Sequence, residues 1–207
     1  MYELTLILSI FILGYVLHII YKEETLLVIP SNDKTKDTLL KCVSLGSLLV
    51  IVYAIMCKGL KTGLLISLFS WCFFVVLTPL PEAAILLTMP LKYLTETPLE
   101  RGQVIISAFA TVIMFYFYKK GQDIVKNTKI KGIFTYIMDN RFYHMILLSI
   151  ASSIMISKFI NDAIDAHTQN DSIFLLNDTN KKLFILSLIS IFIYFQTIRK
   201  YNIDISY

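Results

Sequence analysis

Charged residues are scarce in this chain. Lysine, arginine, aspartate and glutamate make up 16% of its 207 residues, whereas hydrophobic residues make up 56%. A soluble domain carries about 25% charged residues, which it needs to cover its surface. The scarcity therefore excludes an ordinary soluble protein. Because the few charges cluster between long apolar runs, the pattern is typical of an integral membrane protein.

Residues that carry most catalytic chemistry are also few. The chain has three cysteines and three histidines, and these form neither a CxxC pair nor an HExxH motif. It contains no GxSxG, P-loop or GxGxxG sequence either. The sequence therefore predicts no enzyme, no bound metal and no cofactor. No soluble portion remains to present a basic face, so direct nucleic-acid binding is not expected.

Six apolar segments are present, and each is ended by charged residues or by proline. Each is close to the ~20 residues that cross about 30 Å of hydrocarbon. We expect an all-α integral membrane protein, a single transmembrane domain over residues 1–207 with a bundle of about six helices. Five spans plus a re-entrant segment is the alternative. The segments are Leu4–Tyr21, Leu39–Cys57, Gly63–Thr78 with an extension beyond it, Gln103–Tyr118, Tyr143–Ile160 and Leu183–Ile198.

Lysine and arginine predict the orientation of the chain, because basic residues crowd into cytoplasmic loops. The connector after the fourth segment, about residues 121–142, is basic, whereas the polar loop at about 161–182 carries four aspartates before its first lysine. We expect the connector and both termini to be cytoplasmic and the loop to face outward, in a membrane of the bacterial inner-membrane type. The basic residues in and beside the connector are Lys119, Lys120, Lys126, Lys129, Lys131 and Arg141.

The connector also contains an amphipathic helix. Its apolar residues recur at helical spacing and form one stripe, with basic residues lying among them. Such a helix suits contact with an anionic lipid leaflet. Docking of a cytoplasmic protein partner is the alternative. The stripe consists of Ile130, Ile133, Phe134, Ile137 and Met138.

Two prolines interrupt the third segment. As a helix, Gly63–Thr78 covers only about 24 Å, which is short of the hydrocarbon thickness. The chain must therefore continue at membrane depth through Pro79 and Pro81, and proline breaks or kinks a helix. Pro81 followed by Glu82 is typical of a helix start. We expect a discontinuous helix whose second half runs to about Tyr93.

Broken backbone at membrane depth is tolerated only where protein or water surrounds it. The stretch from Pro79 through Pro81 to Pro90 is therefore a candidate gating or binding element, as in many transporters. Glu82 is its candidate acid, because an ionisable group in a bilayer is costly. The alternative is that Glu82 lies at the outer interface and caps the helix. Lys92, about 15 Å further along, is expected to reach the headgroups rather than to pair with an acid.

Small polar residues line one face of two segments. Ser149, Ser153 and Ser157 recur every four residues in the fifth segment, and Ser107 and Thr111 do so in the fourth. Small residues let helices approach closely in lipid. These faces predict helix packing within the monomer, with a seam between subunits as the alternative.

These features leave three function classes. The expectation is a non-enzymatic multi-span membrane sensor or anchor that forms a homo-oligomer and recruits a cytoplasmic partner through the basic connector. The alternative is a small oligomeric ion channel or transporter built around the broken helix and Glu82. The third class, an intramembrane enzyme using Glu82, has no catalytic motif to support it.

The chain resembles the membrane subunits of bacterial antiphage defence pairs, such as the Kiwa type. The resemblance lies in general architecture and in residue style, with abundant isoleucine, lysine, asparagine and tyrosine. It implies a small multi-span protein that works beside a cytoplasmic effector. It carries over no residue roles.

Overall fold

The computed structural model describes residues 2–22, 52–53, 55–56, 59–95, 97–120, 129–169 and 178–200. Within these ranges the chain is helical apart from short connections, and no strand occurs in them. The all-α prediction is therefore confirmed for the described part of the chain. The helices with defined ends are α1 (Tyr2–Lys22), α2 (Leu60–Leu77), α3 (Glu82–Thr95), α4 (Leu99–Lys120), α5 (Lys129–Asp139), α6 (Tyr143–Gln169) and α7 (Asp178–Lys200).

Four of these helices, α2, α4, α6 and α7, are long and apolar enough to cross a membrane. Helix α1 contributes a shorter apolar stretch, Thr5–Tyr21. The predicted segment Leu39–Cys57 lies almost entirely outside the described residues, so the count of six spans stays a prediction. Four such helices indicate an integral membrane protein, which agrees with the scarcity of charge.

Helix α6 is the centre of the bundle. In its apolar stretch, Tyr143–Ile164, 67% of the residues are buried, against 28–39% in the corresponding stretches of α2, α4 and α7. It contacts α1, α2, α4 and α7. Serine and alanine make this position possible, because small side chains let several helices approach at once. Ala151, Ser152 and Ser153 are all fully buried.

Two apolar clusters flank α6. The larger joins α2, α4 and α5 to α6, and in it the ring centroids of Phe69 and Phe117 lie 5.1 Å apart, edge to face. The smaller joins α1 and α7 to α6 and includes Val16, Met155 and Leu183. Exposed large apolar side chains cover the outer faces of α1, α4 and α7, as on helices that contact lipid.

The third apolar segment is broken where the prolines predict it. Helix α2 ends at Leu77, and α3 begins at Glu82. Pro79 and Pro81 are buried in the connection between the two helices. Neither proline has an N–H to continue the helical hydrogen bonds. A third proline, Pro90, lies inside α3.

Two aromatic side chains donate hydrogen bonds to backbone carbonyls on either side of the break. In a continuous helix the Leu77 carbonyl would accept a bond from residue 81, but that residue is a proline; the Tyr194 hydroxyl donates to this carbonyl instead. Trp71 Nε1 donates to the Ala83 carbonyl at 2.8 Å and so ties α2 to α3. Tyr194 lies six residues, about 9 Å, before Lys200 at the end of α7. The break therefore lies beside the interior of a helix that can span a membrane.

Helix α5, within the basic connector, packs against the bundle. Phe134, Ile137 and Met138 are all buried, between 1% and 4% exposed. The ring of Phe134 meets that of Tyr118 edge on, with 6.2 Å between centroids, and the Tyr118 hydroxyl donates to Asp139 Oδ1 at 2.6 Å. The apolar stripe is thus covered by the chain's own helices, which corrects the expectation that it faces a lipid leaflet.

Candidate functional site, a buried polar cluster between α3, α4 and α6

Polar and charged side chains from α3, α4 and α6 meet at one end of the bundle, where most of them are buried. The exposed fraction is 3% for Glu100, 0% for Gln103, 7% for Lys158 and 6% for Asn161. Ionisable groups among apolar helices are costly, and by default they are functional-site candidates. We call the following set the polar cluster: Lys92, Glu100, Gln103, Ser153, Ser157, Lys158, Asn161 and Asp162.

The side-chain oxygen of Asn161 joins three helices. Lys92 Nζ, from α3, donates to Asn161 Oδ1 at 2.7 Å. The backbone N–H of Leu99, the first residue of α4, donates to the same oxygen at 3.2 Å. Amides in the first turn of a helix have no partner within the helix. Asn161 of α6 therefore satisfies the start of α4 and positions the end of α3 with one atom.

Gln103 forms the second layer, one turn further along α4. Its Nε2 donates to Ser153 Oγ of α6 at 2.7 Å and to Ser107 Oγ of its own helix at 3.3 Å. Ser107 lies eight residues, about 12 Å, beyond Leu99. The polar contacts therefore begin at the end of a helix that can span a membrane and continue well into it.

The charges of the polar cluster balance one another. Lys158 Nζ lies 3.5 Å from Asp162 Oδ2 within α6. The carboxyl group of Glu100 interacts electrostatically with Lys158, Asp162 and Lys92. Two positive and two negative side chains give a formal sum of zero. A neutral set loses less free energy on burial than an isolated charge does, because the pairs attract one another at low dielectric.

Three oxygen atoms in this region have no hydrogen-bond partner among the described residues. They are Glu100 Oε2, Gln103 Oε1 and Ser157 Oγ, and all three are buried. Leu99 bonds to Asn161 and Gln103 bonds to Ser153, so Glu100 and Ser157 lie between these two layers on facing helices. A buried acceptor without a donor costs roughly 1–3 kcal/mol. Glu100 Oε2 and Gln103 Oε1 can only accept, whereas the Ser157 hydroxyl can also donate, and Arg101 Nε is a buried donor without a partner among the described residues. While Glu100 is ionised, the two acceptors on α4 therefore cannot satisfy each other.

A glycine brings α3 against α4 beside the polar cluster. A Cβ atom at Gly102 would lie 3.2 Å from Thr88 Cγ2 and 3.6 Å from Leu91 Cδ2, both of α3. Contacts of about 3.2 Å between carbon atoms are repulsive, since the optimum is about 3.5–4.0 Å. The missing side chain thus permits the close approach that places Lys92 beside Asn161.

The end of α1 lies at the same end of the bundle. The Arg101 guanidinium is 5.9 Å from the centroid of the Tyr21 ring, which is a cation–π distance. In the predicted orientation, the connections after the first, third and fifth segments lie on one side of the membrane. In the structure, residues next to these connections lie at the same end of the bundle. Which side of the membrane this end faces stays a prediction.

The predicted acid and lysine of the broken helix are not brought together. Glu82 is exposed in the first turn of α3, ten residues, about 15 Å, from Lys92. Lys92 is half-buried and donates to Asn161. This contact replaces the expected extension of Lys92 to the headgroups. Pro79 and Pro81 form the break, whereas Pro90 lies inside α3; a part of these prolines in gating stays a prediction.

The predicted packing serines lie inside the chain. Ser107, Ser149, Ser153 and Ser157 are each at most 1% exposed, and the half-buried Thr111 donates to the Ser107 carbonyl at 2.7 Å. They pack within the monomer, so the alternative of an exposed seam between subunits receives no support from these residues.

The predicted basic contact residues are described only in part. Lys119 and Arg141 are exposed, at the end of α4 and just after α5. Lys126 lies outside the described residues, and the side chains of the other three connector lysines, Lys120, Lys129 and Lys131, do as well. Contact of these cations with lipid or with a protein partner stays a prediction.

Sequence reasoning missed most of the charged members of the polar cluster, although a signal was present. The four-residue spacing of Ser149, Ser153 and Ser157 continues to Asn161, and Gln103 precedes Ser107 by the same interval. The apolar run of the fifth segment ends at Ile160, so a stripe defined by that run stops at Ser157. Glu100, Lys158 and Asp162 lie just beyond or beside that boundary.

The part of the chain that the structure describes contains no group of three or more His, Cys, Asp or Glu side chains that could hold a metal ion. No protein-family model matches this chain, and no curated protein or solved structure is significantly similar to it.

Proposed function

We propose that this chain is a small membrane transport protein, a channel or transporter, whose ion path passes through the polar cluster. The observation that carries the proposal is the burial of two ionisable side chains, Glu100 and Lys158, on helices that can span a membrane, with the half-buried Lys92 and Asp162 beside them. Such groups are retained in membrane proteins mainly where ions or protons are bound or moved. Glu100 and Lys158 are the central pair, at 3% and 7% exposed.

The broken helix supports the same proposal. Helix α3 is a half-length helix of 14 residues, and its C-terminal part carries Lys92 into the polar cluster. Discontinuous helices contribute to the substrate and ion sites of many transporters; in this chain the polar cluster lies at the end of α3 that is opposite the break. In this proposal Lys92, rather than Glu82, is the charged residue of α3 beside the ion path; the sequence-based transport alternative assigned that role to Glu82.

The test is ion flux into liposomes that contain the purified chain. Glu100→Gln and Lys158→Met should each reduce the flux roughly tenfold or more, because a hydrogen bond to a charged group is worth about 1.5–3 kcal/mol. Glu3→Gln is the matched control, since Glu3 is an exposed acid in the first turn of α1. Wild-type liposomes without flux, under varied salts, pH gradients and voltages, would refute transport. If Glu82→Gln loses flux while Glu100→Gln and Lys158→Met keep it, the ion path lies at the proline break instead.

A second candidate is the membrane sensor or anchor, a homo-oligomer that recruits a cytoplasmic partner as the antiphage membrane subunits do. The packing of α5 favours it. Because Phe134 and Ile137 are buried in the bundle, α5 is held in one orientation, and Tyr136 and Arg141 remain exposed. A helix fixed in this way loses less conformational freedom when a protein partner binds than a helix that moves freely in the leaflet.

Co-purification tests the second candidate. Replacing Lys126, Lys129 and Lys131 together with glutamate should abolish recovery of the partner while the protein still inserts into the membrane. Tyr136→Ala should weaken recovery by a smaller amount. Partner recovery that survives the triple replacement would reject recruitment through the connector.

A further inference from the structure

Two unpartnered acceptors in the polar cluster indicate what it binds. Glu100 Oε2 and Gln103 Oε1 are buried, can only accept hydrogen bonds while Glu100 is ionised, and have no partner among the described residues. The unpartnered Nε of Arg101 belongs to a side chain that faces Tyr21 of α1. Bound ligands that satisfy acceptors are hydrogen-bond donors or small cations. An additional anion would add a further acceptor and raise the cost of burial.

We infer that Glu100 is a proton-binding site, so that the ion handled by the polar cluster is a proton. Glu100 and Gln103 lie three residues apart, which places their side chains on the same face of α4. When Glu100 takes up a proton, its carboxyl group gains an O–H that can be donated to Gln103 Oε1. One proton then satisfies two of the three orphan oxygens. The inference rests on the proposed transport function but names its ion.

The charges around Glu100 allow both protonation states. Lys92 faces it from α3 and Lys158 and Asp162 face it from α6, while the neighbouring Arg101 is directed to Tyr21 of α1. With Glu100 ionised, its formal charge is balanced by a lysine. With Glu100 protonated, Lys158 retains Asp162 at 3.5 Å. The one net positive charge of that state is on Lys92, which is half-buried and donates to Asn161 Oδ1 at 2.7 Å.

The charged side chains of the polar cluster become more exposed towards the end of α6. The side chain of Asp162 is 24% exposed, whereas that of Lys158 is 8% exposed, so exposure decreases from Asp162 through Lys158 towards Glu100. In the uptake step a hydronium ion gives its proton to the carboxylate, which forms a carboxylic acid and leaves one water molecule. Release is the reverse step. No other reactant is needed.

Infrared difference spectroscopy of the purified full chain tests proton binding without any transport measurement. A protonated carboxyl group has a carbonyl stretch that disappears as the pH rises. The chain has 15 aspartates and glutamates, all of which can titrate, so the band of Glu100 is read from the wild-type spectra minus the Glu100→Gln spectra. We expect this difference to contain one titrating carbonyl band, and the wild-type spectra minus the Glu3→Gln spectra to lack a band at that frequency. Gln103→Leu should shift the frequency of this band, because the carboxyl group loses its hydrogen-bond acceptor. Helical content and elution volume identify any variant that fails to fold.

The outcomes separate this inference from the proposed function. If the titrating carbonyl bands of Glu100→Gln are the same as those of the wild type, the inference is overturned. If such a result is accompanied by sodium-dependent flux in liposomes, transport stands and the ion is a metal cation. A band that Glu100→Gln removes, in a protein that carries no flux under a pH gradient, keeps the proton site and refutes transport.

Discussion

Replacing Asn161 with alanine tests the three-helix junction directly. The substitution removes one oxygen that accepts from Lys92 Nζ at 2.7 Å and from the Leu99 amide at 3.2 Å. Hydrogen bonds between helices in membranes contribute about 0.6 kcal/mol on average and up to about 1.7 kcal/mol. Both bonds are lost, and the Leu99 amide is left buried, so we expect the free energy of unfolding to fall by about 1–3 kcal/mol.

The matched control is Ser190→Ala in α7. Ser190 is also fully buried, but its hydroxyl donates to the Leu186 carbonyl of its own helix at 2.9 Å. That carbonyl keeps its backbone partner when the hydroxyl is removed, so the expected loss is below about 0.5 kcal/mol. Equilibrium unfolding in mixed micelles of increasing denaturing detergent measures both variants.

The comparison between the two variants decides whether the junction is correct. If Asn161→Ala and Ser190→Ala lose the same stability, Asn161 does not hold α3 and α4 together. A loss confined to Asn161→Ala, together with faster proteolysis near Thr95 at the end of α3, is the expected result.

Three further substitutions probe other parts of the bundle. Tyr194→Phe removes the donor to the Leu77 carbonyl and should lower stability by about 1 kcal/mol; an unchanged thermal midpoint would mean that the carbonyl has another donor. Gly102→Ala adds a carbon 3.2 Å from Thr88 Cγ2. The overpacking costs about 1–3 kcal/mol and is partly offset by the ~1 kcal/mol that alanine gains over glycine in a helix, so chemical unfolding should show a net loss of up to about 2 kcal/mol; a gain of about 1 kcal/mol would contradict the close approach of α3. Phe134→Ala should detach α5 from the bundle and lower the free energy of unfolding by about 3–5 kcal/mol. Trypsin should then cleave the connector faster, and unaltered cleavage would argue against the buried position of α5.

The helical class and the proline break could be predicted from the sequence because both depend on local physics. In lipid every backbone group must find a partner within the protein, so long apolar runs become helices. A proline at residue 81 removes the donor for the Leu77 carbonyl wherever the helix lies. These conclusions need no knowledge of how the helices face one another.

The polar cluster could not be predicted in this way, because it depends on which helix faces meet. Glu100 and Lys158 lie 58 positions apart in the chain and become neighbours only when α4 and α6 pack antiparallel. Hydropathy places both residues at segment boundaries, where charges usually contact water. The destination of the α5 stripe was missed for a similar reason, since amphipathicity predicts a buried face without saying whether lipid or protein covers it.

The two aromatic donors at the proline break have a mechanical consequence. Trp71 ties α2 to the first turn of α3, and Tyr194 ties the end of α2 to α7. These two hydrogen bonds make the connection between α2 and α3 rigid, so a displacement of the start of α3 also displaces α2 and α7. A tilt of α3 relative to α4 would therefore have to occur in the short connection between Thr95 and Leu99. Lys92 lies close to that connection and would move little.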